Sequence, residues 1–227
     1  MAAFWGAAEE GADCAELDVR QTKDGVPVVM HDSNLMRTAG VNREICEVTY
    51  DELRSLKVKK NGGLWSDRES IPTLQEVLRF LKGSGLMLNI ELKPCRGASC
   101  EKTVVDLILK EDLQDQCLIA SSDCGILQRV KSYAPEIKTV YVGCDFKSCL
   151  LRLRCVDAIS LKADYVSASV VQSIHVATKV TVINGKYYAV INSLTNSTYS
   201  VVWNPIEFSD VSNHWAKTAI NDMCPWW

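Results

Sequence analysis

Cys14-Ala-Glu-Leu-Asp-Val-Arg-Gln-Thr-Lys-Asp-Gly-Val-Pro-Val-Val-Met-His-Asp32 is the stretch whose reading decides the fold. Its first six residues alternate in polarity, which is the period of a β-strand. Thr22-Lys-Asp-Gly25 is a turn signal. The β-branched run over residues 26–30 predicts a second strand. His31 and Asp32 follow directly, at the carboxyl end of that strand, the edge where barrel folds collect their chemistry. Glu16 and Asp18 lie two apart, so the pleat puts both carboxylates on one face.

Working outward, the alanine-rich residues 2–12 suit a helix ended by Gly11. Thr49 with Glu52, and Thr73 with Glu76, have the spacing of capping boxes that open helices. Strands are expected over 86–92, 117–120 and 139–142, with helices over 101–111 and 124–132 between them. This βαβα order predicts a largely parallel sheet with helices outside it. Farther on, the pattern suggests a helix over 150–159, a short strand over 165–168, a helix over 170–177 and a strand over 180–183. Beyond residue 184 the texture turns to Tyr, Val, Ser, Thr and Asn, which places a domain boundary there: a barrel-like domain over 1–184 and a divergent tail over 185–227.

The chain has 227 residues and a formal charge of −3 from 25 basic and 28 acidic side chains. This balance gives no electrostatic case for nucleic-acid binding, and no apolar run is long enough for a membrane span. The first residues lack the basic and apolar regions of a signal peptide. The 10 cysteines include no CxxC pair. They suit free thiols in a reducing compartment, with a partly disulfide-bonded form as the rival. An eight-fold barrel usually needs roughly 250 residues, so the chain is short for one.

Two carboxylates side by side on a strand repel unless something positive lies between them. Mg²⁺ or Ca²⁺ is the natural partner, because both take hard oxygen ligands. Glu91, near the end of the third strand, adds a third carboxylate. A histidine side chain can give or take a proton near neutral pH, which suits His31 to phosphodiester cleavage. Lys93, two residues after Glu91 on the same face, can neutralise charge that builds on phosphoryl oxygens. Each feature has a bland alternative. Glu-x-Asp also fits a solvated edge, His-Asp a hydrogen-bonded surface pair, and Glu91 with Lys93 a plain ion pair. All five groups nevertheless end strands of one βα series.

Four segments carry a resemblance to the glycerophosphodiester phosphodiesterase family. They are Gly11 through Asp32, Leu35-Met-Arg-Thr38, Ile71-Pro-Thr-Leu-Gln-Glu-Val-Leu78 and Asn89-Ile-Glu-Leu-Lys93, in matching order and spacing. The resemblance implies a TIM-type (β/α) barrel and metal-dependent hydrolysis of glycerophosphodiesters to sn-glycerol 3-phosphate and an alcohol. It implies Glu16, Asp18 and Glu91 as metal ligands, His31 as one of two catalytic histidines and Lys93 as an active-site lysine. A substrate hydroxyl would attack phosphorus, and water would open the resulting cyclic phosphate. Trp65, in the loop before Ile71, would lie near the mouth and line the substrate or pack its own loop. The family opens with a strand ending in His-Arg-Gly and then a Glu-Asn-Thr segment. Neither occurs in these 227 residues. The expectation is therefore an incomplete or divergent barrel lacking the first strand, with impaired hydrolysis and barrel edges open to oligomer formation. The rivals are an inactive phosphodiester- or metal-binding module, a structural fragment without a working site, and a phosphodiesterase acting on phospholipid head groups.

The tail segment Phe208-Ser-Asp-Val-Ser-Asn-His-Trp-Ala-Lys-Thr-Ala-Ile220 resembles the opening of a surface-layer homology module. That resemblance implies a bacterial exported parent held to cell-wall polysaccharide, hence an extracellular or cell-surface location. The chain alone points to the cytoplasm. An amphipathic terminal helix is the plainer reading of the same segment.

Overall fold

The computed structural model describes residues 1–59, 65–66, 70–94, 100–143, 155–161, 167, 169–170, 179–183 and 186–190. The first helix, α1 (Ala2–Glu9), buries none of its side chains and exposes Trp5. Two strands follow, β1 (Cys14–Gln21) and β2 (Pro27–Val29), paired antiparallel across the turn that the sequence signalled. Gly25 stands in that turn at φ +84°. A β-carbon is strained there, so glycine is the residue the turn needs.

A run of short elements comes next: α2 (Met36–Ala39), a 3-10 turn (Ile45–Glu47), α3 (Tyr50–Arg54) and the two-residue ribbon β3 (Val58–Lys59) with β4 (Trp65–Ser66). They gather over β2 in an apolar cluster of Val28, Met30, Leu35, Ile45, Leu53 and Ile71. The β/α series then proceeds through α4 (Leu74–Leu81), β5 (Met87–Leu92), α5 (Glu101–Lys110), β6 (Cys117–Ser121), α6 (Cys124–Tyr133), β7 (Lys138–Gly143) and β8 (Ala158–Leu161). Both expected capping boxes form. Thr49 and Thr73 each accept a hydrogen bond from the backbone N–H three residues on, and Glu52 and Glu76 reach back.

The sheet order is β2-β1-β5-β6-β7-β8. β1, β5, β6 and β7 run parallel, with Asp18 beside Glu91 and Glu91 beside Ala120. One face of this sheet carries Leu17, Val19, Leu88, Ile90, Leu92 and Ile119, all buried. The inward stripes of α4, α5 and α6 are buried as well, through residues such as Leu78, Ile108 and Leu127. Each such fully buried aliphatic side chain is worth about 2 kcal/mol relative to exposure, so this face holds the fold together. The other face carries the polar positions of the same strands.

Packing divides the chain into two units, Met1–Val142 with Cys155–Ile159, and Gly143–Arg154 with Ser160–Trp227. The second unit contains the antiparallel ribbon β9 (Lys179–Ile183) and β10 (Lys186–Val190). The strand expected over 180–183 is therefore present. Of the helix expected over 150–159, residues 158 and 159 instead fall in strand β8, and residues 150–154 lie outside the described residues. The Asp157 carboxylate explains this locally. It accepts from Thr139 N at 2.8 Å and Thr139 Oγ1 at 2.9 Å, which turns the chain along β7. The expected boundary at residue 184, the rest of the tail and the surface-layer-like segment over 208–220 lie outside the described residues. Among the described residues, no helix is long and apolar enough to cross a membrane. Cys14, Cys46, Cys117 and Cys155 are free thiols.

Candidate active site

The pleat of β1 sends Glu16 and Asp18 to the face opposite the buried Leu17 and Val19. The register sets Glu91 of β5 directly beside Asp18. One carboxylate oxygen from each of Glu16, Asp18 and Glu91 lies within 4.8 Å of the others. These three residues, from two neighbouring strands, meet at one point of the sheet's polar face.

Lys93 stands among them. Its Nζ is 2.9 Å from Asp18 Oδ1 and 2.5 Å from Glu91 Oε1, with all three side chains about a sixth exposed. Burial works against its charge, but the hydrogen bonds to Glu91 and Asp18 outweigh that and raise its pKa. One ammonium cannot balance three carboxylates. Burial, then the charges of Asp18 and Glu91, push Glu16 up, while Lys93 and His31 pull the other way. Asn89 lies beside Glu16 in the register and leaves its Oδ1 buried without a hydrogen-bond partner. The cluster thus offers uncompensated negative charge and hard oxygen donors, a set that fits a divalent cation.

His31 follows the β2 end. Its Nδ1 lies 2.9 Å from Asp32 Oδ1, and its side chain is 66% exposed. Asp32 is in turn held by Arg37 at 2.5 Å. The Arg37 guanidinium first, and His31 second, bring the Asp32 carboxyl down to about 2. An ionised Asp32 favours the tautomer that carries the proton on Nδ1, which leaves Nε2 for proton transfer. Arg37 lay in the quoted motif without an assigned role. Its side chain finds Asp32 across the turn that starts α2, and no periodicity in the sequence announces that contact. The backbone of Trp65 pairs with Lys59 in the short ribbon. Its side chain lies outside the described residues, as do His175 and His214.

The sequence pattern of the Glycerophosphoryl diester phosphodiesterase family matches residues 1–187. This chain belongs to that family. A glycerophosphodiester phosphodiesterase from Caldanaerobacter subterraneus subsp. tengcongensis is 34% identical over 140 residues, covering 61% of this chain and 58% of that protein. One from Bacillus altitudinis is 34% identical over 148 residues, covering 64% of this chain and 60% of that protein. The chain thus spans about three-fifths of the length of these curated relatives. Among solved structures, a phosphodiesterase from Oleispira antarctica, in complex with its product sn-glycerol-3-phosphate, superposes with a TM-score of 0.69 at 28% identity. That superposition covers 78% of this chain and 74% of the other. This glycerophosphoryl diester phosphodiesterase family member has the α/β, TIM-type architecture of its relatives, with a sheet that does not close on itself among the described residues.

The Asp32 contact leads to a first expected result. Asp32→Asn leaves the fold intact and lowers any measured turnover by about 10- to 100-fold, less than the ~10⁴-fold seen where a buried Asp–His pair sets the tautomer, because this imidazole is largely in water. The sign of the pH effect follows from the lowered carboxyl. A depressed folded-state pKa adds stability above about pH 4 that is lost as the pH falls toward about 2. Urea unfolding should show the gap between wild type and Asp32→Asn closing over that interval. A gap independent of pH would disprove the coupling.

Proposed function

We propose that this chain carries out cation-dependent hydrolysis of glycerophosphodiesters to sn-glycerol 3-phosphate and an alcohol, at a rate below that of its longer relatives. The single observation that supports this reading is the convergence of three carboxylates from β1 and β5 on one point. Mg²⁺ or Ca²⁺ held by Glu16, Asp18 and Glu91 would supply Lewis-acid charge toward a phosphoryl oxygen. Lys93 keeps Asp18 and Glu91 together and adds positive charge beside the bound phosphodiester. His31, with Nδ1 committed to Asp32, moves the proton at Nε2. Trp65 is assigned to the substrate side of the mouth.

The reduced rate follows from the histidine count. The family scheme shares acid and base work between two histidines, and His31 is the one histidine among the described residues. Loss of a general acid or base typically costs about 10²–10⁴-fold. The test is release of sn-glycerol 3-phosphate from glycerophosphocholine, with Mg²⁺, with Ca²⁺ and with chelator. Slow release that stops on chelation is expected. Release indifferent to chelator would refute the cation reading, and turnover within about tenfold of an intact relative would refute the impairment. Because His31 is the one histidine among the described residues, a binding module stays as the second reading. Calorimetric binding of the diester without any product would favour it.

A further inference from the structure

Arg20 is the next residue on the polar face of β1 after Glu16 and Asp18. Its guanidinium does not pair with a carboxylate among the described residues. Instead, Nε donates to the His31 carbonyl at 2.8 Å and Nη1 to the Pro94 carbonyl at 3.5 Å. The two acceptors lie 11 and 74 residues away in sequence, at the exits of β2 and β5. Those exits carry the imidazole and the ammonium of the site. Two backbone bonds tie the same places to β1: Met30 N donates to Asp18 O at 2.9 Å, and Lys93 N to Val19 O at 3.1 Å. Past these bonds the ladders end. β2 has stopped at Val29 and β5 at Leu92, so among the described residues neither His31 nor Pro94 has a strand neighbour to hold its carbonyl.

We propose that Arg20 is a positioning residue: its fork clamps the two strand exits so that His31 and Lys93 keep a fixed place relative to the three carboxylates. A planar guanidinium suits this task. Its donors point in set directions, so it can hold two carbonyls at once, whereas an ammonium is a flexible point charge. The physical need is clear from the exposure of the neighbours. His31 is two-thirds in water, and an exposed side chain samples rotamers unless its backbone and its ring are both held. Asp32 holds the ring and Arg20 holds the backbone. An arginine at this position therefore restricts the imidazole without touching the cation or the reacting atoms.

This inference rests on the cation reading of the site, and the experiment separates the two. Mn²⁺ is added to the full chain, and paramagnetic broadening is recorded by NMR for the His31 ring and for the Leu17 and Ile90 amides. In the wild type all three broaden, because the ion sits among Glu16, Asp18 and Glu91. The absence of localised broadening anywhere would sink the cation reading and leave the clamp to be judged by amide exchange at His31 and Lys93. In Arg20→Gln the Leu17 and Ile90 effects should stay as in wild type, while the His31 effect falls several-fold as the ring spends time farther off. Those amides also report whether the variant is folded. Unchanged broadening at His31, or amide protection at His31 and Lys93 equal to wild type, would overturn the clamp. Arg20→Lys keeps the charge but reaches one carbonyl at best. Full recovery of the wild-type signal in that variant would show that charge alone acts, and would equally overturn the proposal.

Discussion

Asp18→Asn and Glu91→Gln should each lower affinity for Mn²⁺ or Mg²⁺ by more than about 100-fold. The amides keep nearly the volume and shape of the acids, so packing changes little and the lost negative charge decides the outcome. Altering a group that only supports a ligand costs about 10–100-fold in metal affinity or activity, and removing a ligand's own charge must exceed that. Two further effects compete. Each substitution takes one of the two acceptors from Lys93, which loosens the ammonium. It also relieves repulsion among carboxylates that lie within 4.8 Å of each other. In each variant Lys93 keeps its other carboxylate, and the two effects oppose each other, so the lost ligand decides the affinity. Titration calorimetry or Mn²⁺ resonance reads the result directly. Wild-type affinity in either variant would mean that the ion, if it binds, binds elsewhere.

His31→Asn should remove most of whatever turnover the chain has, by about 10²–10⁴-fold, with cation affinity unchanged. Asparagine can still donate to Asp32, so the Arg37–Asp32 pair stays in place. What disappears is the imidazole, the group able to give and take a proton. A ligand role for His31 predicts instead a fall in cation affinity, and a merely structural role predicts a fall in melting temperature. Equal turnover in wild type and variant across pH would exclude His31 from the chemistry. Carried out beside the carboxylate variants, this measurement separates the proton-moving part of the site from the part that holds charge.

Much of the fold was legible in the sequence because the strands alternate cleanly. In β1 the alternating Leu17 and Val19, and in β5 Leu88, Ile90 and Leu92, are buried as their polarity predicts, whereas Gln21 is buried against its polarity. The capping boxes at Thr49 and Thr73 were legible for a related reason: both partners sit three residues apart, within one turn. Residues 158 and 159 read as the end of a helix yet form a strand, because the Thr139 contact that turns the chain at Asp157 comes from 18 residues earlier. The site was legible in its charges and less so in its pairings. Lys93 fits a phosphate-facing role by position, yet its ammonium lies against Asp18 and Glu91. Which of several nearby oxygens a long flexible side chain selects depends on a sheet register that local sequence does not fix. Arg20 lay within the quoted motif and its clamp went unread, since one of its acceptors is 74 residues away.

The alternation along β1 and β5 has one more effect, on heredity. Leu17, Val19, Ile90 and Leu92 secure the molecule from one side of the strands, and Glu16, Asp18 and Glu91 occupy the other. Changes to the acidic side leave the buried apolar side untouched. A descendant that loses its acids keeps the apolar side of its strands, so the architecture outlives the charge it once presented.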